Sequence, residues 1–563
     1  MSLEAFQGMS DKVTVGEILA VFLERCGVRV AFGVISIHNM PFLDAIGTRN
    51  KIRFVASRSE AGAVNMADAF ARVGPQLGVA FTSTGTAAGN AAGAMIEAQT
   101  AGTPLLHITG QIETAHLDKK HGYIHEARDQ LMMLRAVSKS ARRVTEAGSA
   151  LKTFKLAFRD ALSAPTGPVS IEVPIDIQHT KIEWPKNLDP LPIKTIKPNE
   201  KELDAVASCL VRAKRPMLWL GGGARHAKEA VQNLVSLGFG VVSSTQGRGI
   251  IPEDHPASLG AYNMYAPVEI FFDSCDAMLV AGSRLRSNET LKYALRLPRP
   301  LYQIDVDELA AENRPYVPDK FIKGDSALSL EGIAARLQGK MHVDAEFLRN
   351  LEEARASAET FLSEGLGPYS VLVKAIQNAV GNNFIWVRDV TVSNSTWGNR
   401  AVLIKGPYDG VHAVGGGIGQ SVQMAIGASI ASPERKIVCL VGDGGLQVNV
   451  GEMATAIQER VHIVLILMNS RDYEVIKNIQ DAQFGGRRFY SDIYTPDFSA
   501  VAHSTGWDYE KITNLRFVQN TIASALKISK CTLIEIDMAA IGKFARPFGG
   551  PPVKQGKNNK TVH

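Results

Sequence analysis

Two apolar strands, each running straight into polar residues at its carboxyl end, constrain this chain more than any other feature. The run KIVCLV from Lys436 to Val441 passes directly into Gly442, Asp443 and Gly444. Twenty-four residues separate Gly444 from Asn469, and the last six of them, the run IVLILM from Ile463 to Met468, pass directly into Asn469 and Ser470. Strands that are apolar throughout are covered on both faces, which calls for a parallel sheet flanked by helices. A helix is expected between them, over Asn449–Arg460. Asp443 and Asn469 therefore fall at the carboxyl ends of two parallel strands, where open α/β sheets bind their ligands.

The same alternation repeats along the chain. Strands are expected at Val28–Ile35, Ile52–Ala56, Leu77–Phe81, Leu105–Thr109 and Val169–Val173, with helices over Val13–Cys26, Glu60–Arg72 and from Ala91. A Pro-rich stretch from Trp184 to Pro198 reads as a linker. A second set of strands follows at Pro216–Leu220, Gly240–Ser243, Ala277–Ala281 and Leu301–Ile304. A charged helical stretch over Ala345–Leu366 then precedes a third set at Phe384–Val387, Lys436–Val441, Ile463–Asn469 and Thr532–Ile536. The expectation is an α/β chain of three doubly wound parallel-sheet domains, over residues 1–187, 200–340 and 366–563. A hydrophobic share of 45% supplies cores for all three.

The strand-end residues suit a diphosphate held through Mg²⁺. That ion takes about six oxygen ligands in octahedral geometry. The carboxylate of Asp443, the amide oxygen of Asn469, a backbone carbonyl at Arg471 and phosphate oxygens supply such a set. Gly442, Gly444 and Gly445 let the backbone approach the phosphates, with Ser470 beside them, and a helix starting after the turn aims N–H groups at the anion.

Strand, Gly-Asp-Gly, helix, strand and Asn together resemble the thiamine-diphosphate (ThDP) binding motif of the family that includes acetohydroxyacid synthase, pyruvate oxidase and benzaldehyde lyase. That resemblance covers nearly the whole chain and implies pyrimidine-binding, central and diphosphate-binding domains in that order. It also implies a glutamate that pairs with the coenzyme's pyrimidine ring. Glu60 matches it, in the run from Arg58 to Arg72, and the loop Ser83–Asn90 matches the family's small-residue loop, with Asn90 beside the coenzyme. Gly416 to Gly419 resembles the stretch beneath the bend of the coenzyme. There Ile418 takes the place of the usual Met as a stiff wedge, and the Gly416 carbonyl takes the pyrimidine amino group.

Two histidines bear on the reaction. His38 stands where benzaldehyde lyase carries a histidine facing the substrate, and His125 matches an active-site Gln position; a histidine near the reacting carbon relays protons. Asp472, Tyr473 and Glu474 follow the metal motif in a region that closes over the substrate in the family. Arg487 and Arg488 read as solvated or as partners of a carboxylate. In the central domain, Gly221–Gly223, Gln246–Gly249 and Gly282–Arg286 resemble stretches that hold FAD or ADP in relatives, without the acidic pair of the synthase; FAD, ADP and an empty nucleotide site all stay open. The expected activity is acetolactate-synthase-like decarboxylation of a 2-keto acid with carboligation. A lyase or carboligase acting on 2-hydroxy ketones or 2-hydroxyacyl-CoA and a non-catalytic paralogue are the alternatives.

The resemblance further implies a site shared between two chains, hence a homo-oligomer, with a dimer of dimers expected. A net charge of +5 over 563 residues with only short basic runs argues against a nucleic-acid partner. Five scattered cysteines without a CxxC argue against a disulfide framework or a zinc site. No apolar run suits a membrane helix and the N-terminus lacks the order of a signal peptide. A cytoplasmic location is the expectation.

Overall fold

The computed structural model describes residues 12–308 and 314–550, and divides into two compact units. The first holds the N-terminal residues to Lys194 with Ile426–Ala431 and Ala454–Glu459; the second holds the remainder.

The first unit is built on a six-stranded parallel sheet. Its order is Arg53–Ala56, Val30–Gly33, Gly78–Thr82, Leu105–Gln111, Pro168–Pro174 and Ser140–Arg143. The strands Gly78–Thr82, Leu105–Gln111 and Pro168–Pro174 are buried along their whole length. A short antiparallel pair, Lys12–Thr14 with Lys181–Glu183, stands apart. The helix Val15–Arg25 opens on a capping box: the Glu17 N–H donates to Thr14 Oγ1 at 3.2 Å, and the Thr14 N–H returns to Glu17 Oε2 at 2.8 Å. The helix Glu60–Arg72 opens on a simple cap, Ser59, whose hydroxyl accepts from the Gly62 N–H at 3.0 Å. That cap fixes Glu60 as the first helical residue, just past the strand Arg53–Ala56. At the other end, buried Arg72 binds Asp68 at 2.5 Å and Glu97 at 2.9 Å.

The second unit holds two parallel sheets. A five-stranded sheet runs in the order Gly240–Ser243, Pro216–Leu220, Ala277–Ala281, Leu301–Asp305 and Lys320–Lys323. A six-stranded sheet runs in the order Gly410–His412, Phe384–Arg388, Lys436–Gly442, Ile463–Asn469, Thr532–Asp537 and Asp508–Ile512. The expected class, α/β with three parallel sheets flanked by helices, is the one observed.

The interior strands match the sequence expectation to within one or two residues, whereas Ser140–Arg143, Lys320–Lys323, Gly410–His412 and Asp508–Ile512 were not expected. All four are sheet edges, short or charged, as edges are when they resist further pairing. The helix expected over Asn449–Arg460 is the shorter Glu452–Gln458, and a separate helix, Asp443–Val448, precedes it. Asn449 ends that first helix: it leaves helical conformation at φ −134° and its amide donates to the Gly419 carbonyl at 2.8 Å. No helix among the described residues is long and apolar enough to cross a membrane.

His107, on the strand Leu105–Gln111, is fully buried between Thr82 Oγ1 at 2.9 Å and Ser170 Oγ at 3.1 Å. Burial pulls its imidazole down to about 4. The unfolded chain takes up this proton near pH 6.5 and the folded chain only near 4. Between those values the unfolded state binds more protons, so this contribution to stability is lost as pH falls. His107→Gln is expected to flatten the acid side of the stability profile by on the order of 3 kcal/mol at most. Urea unfolding from pH 7 to pH 4 checks this; identical slopes in both proteins would contradict it.

Candidate active site

In the second unit the site gathers around Asp443. The strand Lys436–Gly442 ends there and the helix Asp443–Val448 begins. The Asp443 side chain is 2% exposed, and its Oδ2 has no hydrogen-bond partner among the described residues. Ser470 Oγ lies 3.4 Å from Asp443 Oδ1 and 3.2 Å from the Asp472 backbone carbonyl. Asp472 Oδ1 and Glu474 Oε2 are likewise buried without a partner among the described residues. Burial, reinforced by the Asp472 charge, pushes the Asp443 carboxyl up to about 6. Burial followed by the charges of Asp472 and Asp443 pushes Glu474 up to about 7. Bare carboxylate oxygens of like charge gathered at one strand end fit a divalent cation. No three acidic, His or Cys side chains among the described residues converge to hold a metal by themselves. A Mg²⁺ here would thus combine the Asp443 carboxylate with hydroxyl, carbonyl and phosphate oxygens, the mixture that ion takes.

The expected ligands lie differently from one another. Asn469 is 4% exposed: its Nδ2 donates to Glu535 Oε1 at 2.9 Å, which orients the amide, and its Oδ1 accepts the Arg471 N–H at 3.1 Å and keeps a second lone pair. Ser470 is the side chain that meets Asp443. Arg471 adopts φ +63°, its guanidinium pairs with Asp537 at 3.2 Å, and the carbonyl reached by Ser470 is that of Asp472. The glycines of the motif have neighbours within the chain. A Cβ on Gly442 would meet Thr391, one on Gly444 the Tyr473 ring, and one on Gly445 the Asp389 carboxylate. These glycines draw the flanking loops onto the strand end.

Asp389 went unnoticed in the sequence, although it ends the apolar strand Phe384–Arg388 as Asp443 ends its neighbour. It is fully buried and receives the Gly419 N–H at 2.9 Å, the Gln420 N–H at 3.1 Å and the Ser421 hydroxyl at 3.1 Å. Burial pushes its carboxyl up to about 6 against these donors. This carboxylate therefore fixes the glycine-rich loop, on which Gly416 is exposed and Ile418 is 39% exposed. Phe484, Phe489, Tyr490 and Tyr494 add an exposed apolar surface after the helix Glu474–Gln483, a helix without a fully buried residue. Arg488 pairs with Asp481 at 2.6 Å.

In the first unit, Glu60 is half-buried and accepts from Asn90 Nδ2 at 3.2 Å. Asn90 closes the short helix Thr86–Asn90. The turn before it is anchored from behind: Thr84 Oγ1 donates to Gln111 at 2.9 Å and Gln130 at 3.0 Å, and the Gly85 N–H donates to Gln130 Oε1 at 2.7 Å. Gln130 is held in turn by Glu172 at 3.0 Å. Gly85, at φ +62°, lies so close to the His125 carbonyl that a Cβ would overlap it. The His38 and His125 rings stand edge to face, 5.3 Å apart. His38 is 6% exposed. Burial lowers its pKa, His125 lowers it further, and Glu113 opposes both. His125 is exposed at φ +65°, on a loop whose backbone N–H groups converge on Glu126. Glu60, Asn90, His38 and His125 are thus linked through one loop.

In the five-stranded sheet, the Gly223 N–H donates to the Gly282 carbonyl at 3.0 Å, and a Cβ on Gly221 or Gly282 would overlap the facing turn. Packing within the chain accounts for these glycines without a dinucleotide.

Comparison with known proteins agrees with this geometry. The description "Thiamine pyrophosphate enzyme, N-terminal TPP binding domain" matches residues 13–133, the central domain of the same family matches 203–333, and its C-terminal TPP binding domain matches 391–536. The chain belongs to the thiamine pyrophosphate enzyme family. A probable 2-ketoarginine decarboxylase, AruI, of Pseudomonas aeruginosa is 28% identical over 93% of this chain and 94% of its own. The acetolactate synthase isozyme 1 large subunit of Escherichia coli is 27% identical over 89% of each chain. A probable acetolactate synthase large subunit of Methanocaldococcus jannaschii is 25% identical over 92% of this chain and 91% of its own.

Removing the Asp389 carboxylate leaves buried N–H donors without an acceptor. At about 1–3 kcal/mol for such a loss, Asp389→Ala is expected to weaken ThDP binding about tenfold or more in the presence of Mg²⁺. Calorimetric titration measures this; wild-type affinity would contradict the role of Asp389 in holding the loop.

Proposed function

We propose that this ThDP-family enzyme decarboxylates a 2-keto acid and releases the residual carbon fragment to a proton or to a second carbonyl. The observation that carries the reading is the bare, buried Asp443 oxygen beside the Ser470 hydroxyl and the Asp472 carbonyl, at the carboxyl end of a parallel strand in the coenzyme-binding family. Asp443, the Asn469 amide oxygen and the Arg471 backbone carbonyl, with the Ser470 hydroxyl beside them, would hold Mg²⁺, and through it the coenzyme's diphosphate. Bound ThDP supplies the electron sink that loss of CO₂ from a 2-keto acid requires.

The remaining work falls to the chain. Asp389 holds the Gly416–Gln420 loop, whose Ile418 is the wedge under the coenzyme and whose Gly416 carbonyl is its hydrogen-bond acceptor. Glu60, oriented by Asn90, shares a proton with the pyrimidine ring nitrogen. His38, kept neutral by burial, exchanges a proton at the substrate's carbonyl oxygen, with His125 as its contact to solvent. The exposed aromatic surface after Glu474–Gln483 excludes water. Glu60 and the metal that serve one site come from two copies of the chain, so the active species is a dimer or a larger assembly.

A lyase acting on 2-hydroxy ketones is the second reading. The His38–His125 pair favours it, because cleavage of such a ketone starts with removal of its hydroxyl proton.

A substrate panel from pyruvate to 2-ketoarginine, the compound in one relative's name, decides between them. CO₂ release dependent on Mg²⁺ and ThDP is expected from at least one 2-keto acid; cleavage of acyloins with no CO₂ from any keto acid would establish the second reading instead. Glu60→Gln is expected to lower kcat by about 10²–10⁴-fold with Mg²⁺–ThDP still bound, and an unchanged kcat would remove Glu60 from the mechanism. Light scattering is expected to show a dimer or larger, and a fully active monomer would contradict the shared site.

A further inference from the structure

Arg388, the last residue of the strand Phe384–Arg388, is 0% exposed, and no carboxylate pairs with it among the described residues. Its Nη1 donates to Asn394 Oδ1 and Asn399 Oδ1; its Nε and Nη2 have no partner among the described residues. Arg248, equally buried, gives Nε and Nη2 to the two Glu253 oxygens at 2.7 Å each and Nη2 to the Val402 carbonyl at 2.5 Å, while its Nη1 has no partner. Arg400 donates through Nη1 to the Tyr265 hydroxyl at 3.1 Å and lies 5.3 Å over that ring; its Nε has no partner. The buried Trp397 indole N–H has none either.

These residues form one continuous cluster. Arg388 touches Asn399, and Arg248 reaches the backbone carbonyl of the next residue, Arg400, at 3.4 Å. The charges that Arg388 feels are Arg248, Arg400 and Glu253. Three guanidinium groups thus face one carboxylate, which is already used in both its oxygens by Arg248. Nearby Arg355 is answered by Glu352 and Glu359 and brings no spare negative charge. A lysine in such a place could shed its proton; an arginine cannot. Buried like charges with free N–H donors call for an anionic partner.

We propose that Arg388, Arg248 and Arg400 bind a compact inorganic anion, chloride being the physiological one. The Trp386 and Trp397 rings, 6.1 Å apart, flank the end of this strand, which favours a monoatomic ion over a tetrahedral oxyanion. Arg388 belongs to the six-stranded sheet, and Arg248 follows the strand Gly240–Ser243 of the five-stranded sheet. The anion would therefore clasp the two sheets of this unit.

The test uses the purified full-length protein in sodium gluconate, exchanged stepwise for sodium chloride at constant ionic strength. A saturable rise in Tm is expected with chloride, a similar one with bromide, and a smaller one with sulfate. A crystal soaked in sodium bromide should give an anomalous peak within hydrogen-bond reach of Arg388 Nη2. Arg388→Met should abolish the chloride-dependent shift in Tm. Absence of any chloride-specific shift, or an equal response in Arg388→Met, overturns the site; an equal response to sulfate overturns the assignment to a compact ion. If Arg388→Met does not fold, the bromide soak of the wild-type protein decides alone, and a difference map without the peak refutes the proposal.

Discussion

A carboxylate oxygen buried without a partner at the end of a central parallel strand is the constraint around which the C-terminal sheet is organised. Asp443 cannot satisfy both of its oxygens from within the described chain, and its neighbours Asp472 and Glu474 raise rather than relieve the local field. Such an arrangement is stable only with a proton or a cation added. The surrounding parts follow from it. The glycines of the motif admit Thr391, Tyr473 and Asp389 against the strand end, and Asp389 holds the loop opposite.

Much of this was legible in the sequence. The strand Lys436–Gly442 is apolar to its last turn, so its carboxyl end had to be a ligand position in a doubly wound sheet. Spacing also located the loop at the end of the next strand, where Asn469 and Ser470 follow one another. Asn469 is still part of the strand, in register with Asp537, and its side chain turns toward Glu535 of the adjoining strand. The next residue, Ser470, faces the other way. Alternate residues of a strand face opposite sides, so spacing brings both polar groups to one strand end without saying how each side chain turns. The edge strands escaped for a related reason: Ser140–Arg143 and Asp508–Ile512 carry the charges that keep an edge from pairing, and so look like surface loops.

The helix that starts at Glu60 and the turn that leads to Asn90 were legible because a capped helix and a small-residue loop leave local signatures. Gln130 and Glu172 leave none. They act from 40 or more residues away in sequence, by filling the space behind Thr84 and Gly85 with a fully bonded polar network. Buried networks of this kind rigidify what they touch when every member is satisfied. Here they fix the loop that orients Glu60 at one end and supports His125 at the other, so the two halves of the proposed proton chemistry share one rigid support.

The second unit thus buries charge of both signs in excess, and the two excesses are not equivalent. Asp443 and Glu474 have a way out: with carboxyls raised to about 6 and about 7, they can take up protons as the pH falls through those values. Arg388 has no such recourse, because its guanidinium keeps its charge at any physiological pH. A buried acidic cluster can wait for its partner, whereas a buried basic cluster built from arginine must have its partner in place when the two sheets close over it. The acidic end is accordingly suited to exchange and the basic end to permanence.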